Sequence, residues 1–374
     1  MKKLTNRIMI VVFVAFLSLS FFMPMVVADQ EFSDLENRFL SQLPSFSIKE
    51  LFNGDFTEEF EDYVEDQFPL REQWITLKNE IELLLGKQEV NGVYFGKDDY
   101  YFEVKKEYDE ELFLKNINFV NQFGAYLKEN NINTYFFPIF SSYTYYPEKL
   151  PSNAPFVDEL AMLKILKENL DIDVIESFDL LYSHRDENLY FKSDHHWNQL
   201  GAYYAYVAIC EKLGVDAIPL SVYDKSCASE NFMGTLFSKA PVFNYVGDEF
   251  CYYQDTQHSF EVYIRDDEET FDYLYFTENL SQKDKYVTFL SGNHGEVHIK
   301  SNANTGRTLV MLKDSYSHAL APLLASHFDE IVLLDLRYYK APIKQFIEEF
   351  KPTDVMYSYH MMWFAEDKNM FMLR

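Results

Sequence analysis

The polar and apolar positions of the chain change period three times. Behind Lys2, Lys3 and Arg7, the run from Ile8 to Val27 carries no charge. Such a run of about 20 apolar residues is long enough to span a bilayer. Val26-Val27-Ala28, followed by Asp29, fits a small-residue cleavage site. Residues 1–28 therefore read as a signal peptide or membrane anchor, and Pro24 favours a helix end near the cleavage point. In both cases the positive start stays inside and the remainder lies outside the cytoplasm, secreted or anchored.

Residues 29–104 read as a helical and hairpin extension. Phe56, Phe60, Tyr63 and Val64 share one helical face; Pro69 interrupts it. The period resumes through Trp74, Leu77, Ile81 and Leu84 and stops at Gly86. Val90 to Phe102 predicts a β-hairpin, with turn signals at Asn91-Gly92 and Lys97-Asp98-Asp99.

From residue 105 to 374 apolar strands alternate with helical stretches. Strands are expected at 133–140, 173–181, 308–312, 330–336 and 354–359. Helices are expected at 112–128, 160–169, 201–213, 316–326 and 344–350. Residues 221–290 are less regular, with short Tyr/Phe-rich strands. Alternation of this kind predicts an α/β fold with a mostly parallel sheet covered on both faces.

Composition narrows the setting. Hydrophobic residues make up 48% of the 374 positions, so the chain has the means to bury a core. A formal net charge of −27 disfavours nucleic acid and anionic lipid as partners. The three cysteines, Cys210, Cys227 and Cys251, are too few for a disulfide framework, and the spacing alone does not decide whether Cys227 and Cys251 bridge. Without a Cys-x-x-Cys pair, no structural zinc site is expected. No cofactor or metal is expected.

Two segments carry chemistry. In YFKSDHHWNQLGAYYAY, Asp194, His195, His196 and Trp197 precede a helix that Asn198 can cap. A carboxylate two positions from an imidazole, on one side of an extended segment, can hold its tautomer and support its positive form. His195 would then face the other way, in a structural role. In TLVMLKDSYSHALAPLL, a strand runs into Lys313-Asp314-Ser315 and a helix starts at once. Ser315 therefore falls at the carboxyl end of a strand, where open α/β sheets carry their sites, and amides at the helix start can hold an oxyanion. A serine before a helix is usually only a cap, and Asp-x-His is usually structural; their joint occurrence in one α/β framework is what points to acyl transfer.

SDHHWNQLGAYYAY resembles the signature of the bacterial DHHW protein family. That family is similar to the SGNH-hydrolase-like acetyltransferase domains of the alginate O-acetylation proteins. Glu36-Asn37-Arg38, Asp66 to Arg71, Gly292-Asn293-His294 and Lys313 to Tyr339 support the resemblance. It implies a three-layer SGNH-like fold, with Ser315 as nucleophile, His196 as base and Asp194 as its orienter. It departs from many SGNH enzymes in having Lys313 where Gly precedes the Asp-Ser pair, and it lacks a Gly-x-Asn-Asp block, whose oxyanion role would pass to Asn293. Trp197 and Arg337 are further candidates for contacting substrate. His294, His298, His318 and His327 read as structural.

The function expected on this basis is an exported O-acyltransferase or esterase, moving acetyl groups on or off a cell-envelope or secreted polysaccharide. A membrane O-acyltransferase partner would supply the acyl group, and an uncleaved N-terminal segment would itself contact the membrane. Two alternatives are a non-catalytic envelope assembly or glycan-binding protein of the same fold, and a DHH-type metal phosphoesterase.

Overall fold

A computed structural model describes the backbone of residues 2–23 and 26–374. Pro24 lies outside the described residues. Lys2–Phe22 forms one helix. Among the described residues, no helix is long and apolar enough to cross a membrane.

The chain forms two compact units, Met1–Val90 with Ser238–Tyr245, and Asn91–Phe237 with Val246–Arg374. The first contains helices Ile48–Asn53, Asp55–Asp66 and Arg71–Leu84. Its polar centre joins the two motifs noted in this region. Arg38 grips both oxygens of Asp66 at 2.8 and 2.5 Å, and Glu36 pairs with Arg38 and Arg71. These ion pairs hold the Asp66 carboxyl well below its usual range, the Arg38 hydrogen bond outweighing partial burial. Residues 238–245 join this unit because Asn79 donates to the Pro241 carbonyl and the Phe243 amide donates to Glu80.

The second unit begins with the hairpin Val93–Phe95 and Tyr101–Glu103, whose turn residues Asp98 and Asp99 take positive φ. Its main sheet contains, in chain order, β1 (Asn133–Ile139), β2 (Asp173–Val174), β3 (Phe260–Ile264), β4 (Glu269–Phe271), β5 (Glu296–Ser301), β6 (Thr308–Lys313), β7 (Glu330–Leu334) and β8 (Asp354–His360). Among the described residues the order across the sheet is β4-β3-β5-β7-β6-β8-β1-β2. β7, β6, β8, β1 and β2 run parallel; β5, β3 and β4 add one antiparallel edge. β6 and β8 are buried almost end to end, as continuous apolar runs in a covered parallel sheet must be.

Helices α1 (Glu110–Glu129), α2 (Glu159–Asn169), α3 (Gln199–Leu213), α4 (Ser317–Leu324), α5 (Ile343–Phe350) and α6 (Met361–Glu366) cover the sheet. α1, α2 and α6 pack together, and α3 packs on α4. Asn198 caps α3 by accepting from the Gly201 amide. The result is a three-layer α/β fold with a mostly parallel sheet.

Two expectations change. The run 173–181 gives only a two-residue strand, because Phe178–Ser183 turns into a helix. Residues 221–290 supply two outer strands and a separate ribbon, Asp224–Phe232 paired with Asp248–Gln254, that Cys227 and Cys251 close with a disulfide.

Candidate active site

The Asp194 segment is a tight bend, not an extended run. Tyr190 and Trp197 face each other as an antiparallel bridge, and the Phe191 amide donates to the His196 carbonyl. Asp248 fixes the bend from outside, accepting from the amides of Lys192 and Ser193 at 2.9 and 3.0 Å and from Ser193 Oγ at 2.5 Å. This bend presents Asp194 and His196 to the end of β6.

There, Ser315 Oγ lies 2.8 Å from His196 Nε2, and His196 Nδ1 lies 2.7 Å from Asp194 Oδ1. The three residues are 119 positions apart at their widest contact and all are buried. Asp194 is held further. Its Oδ1 accepts the His196 amide at 2.9 Å, and its Oδ2 accepts the Thr235 amide at 2.7 Å and Thr235 Oγ1 at 2.9 Å. With each carboxylate oxygen accepting two hydrogen bonds, the anion is fixed in position. Burial works to raise its pKa, but the neighbouring imidazoles of His195 and His196 and these donors outweigh burial and keep it ionised.

Gly234 makes this approach possible. A Cβ there would sit 2.3 Å from Asp194 Cβ and 2.4 Å from its Oδ2. Neither Gly234 nor Thr235 stands out in the sequence, since they come from an irregular stretch 40 residues beyond the motif they support.

His196 is the base-like member of the set. Burial, reinforced by His195, lowers its pKa to about 4 against the pull of Asp194. The ring is therefore neutral at pH 7, with one nitrogen facing the serine. Tyr286 stacks on it at 3.9 Å and 10°, excluding water from that face.

His195 does not face away. The bend brings its ring to 3.9 Å from that of His196 and its Nδ1 to 2.7 Å from Thr235 Oγ1. Thr235 Oγ1 donates to Asp194, so it accepts from His195, which makes His195 the outer end of a second arm on the carboxylate. Alternation of sides holds only in extended backbone, and this segment is bent, so the opposite orientation expected from the sequence does not arise.

Ser315 sits between β6 and α4 in a turn locked by Asp314. The Asp314 carboxylate accepts from the amides of Tyr316 at 3.0 Å and His360 at 2.6 Å. Its burial pushes its pKa up to about 7. The Ser317 amide donates to the Asp314 carbonyl and the His318 amide to the Ser315 carbonyl. The turn thus uses the amides of residues 316–318, which were expected to face an oxyanion.

Trp197, expected against substrate, is 1% exposed; its Nε1 donates to the Tyr316 carbonyl at 2.9 Å. It is a core residue that ties the two motif segments together. Lys313 is buried too, with Nζ 3.1 Å from Asp335 and 2.8 Å from His318 Nε2. Asp335 also takes a two-pronged contact from Arg337 at 2.9 and 2.6 Å. Arg337, which is exposed, reaches Asn293 Oδ1 at 3.1 Å.

A DHHW protein family model matches residues 157–334. The matched span includes Asp194, His196 and Ser315 and agrees with the resemblance read from the sequence. Solved structures share the fold. A DHHW family protein from Eubacterium siraeum DSM 15702 is 24% identical, covers 76% of this chain and 95% of its own, and has a TM-score of 0.66. Bacillus cereus PatB1 with a sulfonyl adduct is 22% identical over 75% of this chain and 99% of its own, with a TM-score of 0.62. The O-acetyltransferase domain of Pseudomonas putida AlgJ is 12% identical over 74% and 93%, with a TM-score of 0.50. The fold is therefore SGNH-hydrolase-like. No curated protein matches the sequence.

Proposed function

We propose that this chain is an exported SGNH-type O-acyltransferase or esterase that works through Ser315, His196 and Asp194 on a polysaccharide of the cell envelope or a secreted one. The observation that carries the reading is the unbroken relay from Ser315 Oγ through His196 to Asp194, at 2.8 and 2.7 Å.

In the first step Ser315 Oγ bonds to the acyl carbonyl carbon while His196 Nε2 takes its proton. The tetrahedral intermediate collapses, the bond to the donor oxygen breaks, and that oxygen leaves with the proton from His196. In the second step a sugar hydroxyl, or water, gives its proton to His196 and attacks the acyl carbon; Ser315 departs and recovers a proton. Asp194 stays ionised throughout and supports the imidazolium. Asn293 and Arg337 remain the candidates for oxyanion or substrate contact.

The similar AlgJ domain is an O-acetyltransferase and the similar PatB1 structure carries a sulfonyl adduct. A sulfonyl adduct is what an electrophilic sulfonyl reagent leaves on a nucleophile, which agrees with a serine mechanism here. Export through the N-terminal segment would remove the chain from cytoplasmic acyl donors, so a membrane O-acyltransferase partner fits as the source of acetyl groups.

A metal reading has one observation in its favour. Donor atoms of Asp194, His195 and His196 lie within 4.8 Å of one another. Against it, both ring nitrogens of His196 already face protein partners, Asp194 and Ser315, so an ion would have to displace one of them.

The deciding experiment is cleavage of p-nitrophenyl acetate by the full chain. Ser315→Ala and His196→Ala should abolish it, Asp194→Asn should leave a remainder lower by about 10⁴, and EDTA should have no effect. Activity that survives Ser315→Ala, or is lost with EDTA, rejects the serine mechanism.

A further inference from the structure

Beside the relay lies a cleft of about 400 Å³, within the ~300–1,000 Å³ range of small-molecule sites. Trp363 lines it, half-buried. The Trp363 ring is 5.1 Å from His195, 6.2 Å from His196 and 5.6 Å from Tyr316, so the cleft lies one ring away from the relay. Asp314, adjacent to Ser315 in the chain, lines it as well.

The remaining wall is polar and fixed. The Arg337 guanidinium is 6.0 Å from the Trp363 ring and is clamped by Asp335, itself anchored to buried Lys313. Carboxyl groups of Glu366 and Asp367 and the amine of Lys368 complete the rim. Asp367 is already an acceptor for the amide and side chain of Asn369, so its orientation is set.

We infer that this cleft is the acceptor subsite, holding a neutral hexopyranose ring flat against Trp363 with its hydroxyls on Arg337 and the carboxylates. The inference rests on the acyl-transfer reading above and names the substrate class for it. An indole face offers a flat apolar platform for the C–H face of a sugar, and a guanidinium and carboxylates supply donor and acceptor for hydroxyls. Four carboxyl groups, those of Asp314, Asp335, Glu366 and Asp367, stand against the two cations Arg337 and Lys368. Lys313 behind Asp335 and Lys105 on Glu366 offset the other two, so the wall has no surplus cation for a uronate or phosphate polymer and suits a neutral sugar.

The test uses the full chain carrying Ser315→Ala, so that binding is measured without turnover, with cellotetraose and tetra-N-acetylchitotetraose as probes. Calorimetry should show saturable binding of at least one, weakened about tenfold when Trp363→Ala is added and less by Trp363→Phe. In the active enzyme with p-nitrophenyl acetate as donor, the same Trp363 changes should raise the half-saturating sugar concentration more than they lower the maximal rate. Trp363→Phe carries the test if the alanine variant does not fold. Absence of saturable binding by both probes, or equal binding with and without Trp363, overturns the subsite. Loss of the serine mechanism would show instead in the ester assay with Ser315→Ala, so the two failures are told apart.

Discussion

Trp197 Nε1 donates to the Tyr316 carbonyl at 2.9 Å, one residue beyond the His196–Ser315 contact on both segments. The hydrogen bond sets the spacing between the two motifs independently of the reacting groups. Trp197→Phe keeps most of the ring volume and removes the donor. The Tyr316 carbonyl retains a longer bond from Tyr286 at 3.3 Å, so the stability loss should be about 1 kcal/mol by denaturant titration. Ester cleavage should fall by more than that loss of folded protein explains. Unchanged cleavage would mean that the spacing is set elsewhere.

Thr235→Val tests the second arm on Asp194. It keeps the amide bond and removes the hydroxyl bond to a buried anion, an interaction worth about 1.5–3 kcal/mol. The expected result is a lowered melting temperature together with a fall in kcat of roughly tenfold or more, measured where the variant is still fully folded. His195→Phe, which fills the space but cannot donate to Thr235, should cost less. If His195→Phe costs more than Thr235→Val, the histidine acts by some route other than Thr235.

The pH profile of kcat/KM reports on His196. With its pKa lowered to about 4, the ring accepts a proton only above that pH, so cleavage should be lost as pH falls through 4 and be level from about 5.5 to neutral. Asp194 is the group that raises this pKa, so Asp194→Asn should move the inflection further toward acid as well as lowering the plateau. An inflection near 6.5 would show that His196 is less buried in solution.

Gly234→Ala places a methyl group where Asp194 already lies. One of the two must move, and overpacking of this kind costs about 1–3 kcal/mol. Because the nearest atoms the methyl group meets all belong to the Asp194 side chain, with the carboxylate Oδ2 at 2.4 Å, activity should drop well before the fold is lost. Full activity in Gly234→Ala, measured beside its melting curve, would show that the 232–235 backbone gives way instead.

Much of this was legible in the chain. Strand and helix alternation from residue 105 onward has a local cause, apolar period, and β6, β8 and α1 lie within one or two residues of their expected limits. Asp194, His196 and Ser315 were legible because each lies in a dense local motif. Thr235, Gly234, Asp248 and Trp363 were not, because each serves the site from a segment with no period or motif of its own. The side on which His195 falls and the burial of Trp197 depended on a bend that Asp248 holds from more than 50 positions away. On the antiparallel edge β3 and β4 were hidden by being short and aromatic; β5 was not, since Val297 and Ile299 alternate there with polar residues.

The position of β6 has a consequence for the timing of biogenesis. The strand that delivers Ser315 is hydrogen-bonded on one side to β7 and on the other to β8, and both are synthesised after it. A nascent chain that has emerged as far as residue 315 owns the serine and the histidine but has no frame to hold them at contact distance. Only when residue 360 arrives does the last flank close, and with it the His360 amide that pins Asp314. A polypeptide that ends before β8 therefore lacks one of the two strands that hold the β6 end carrying Ser315.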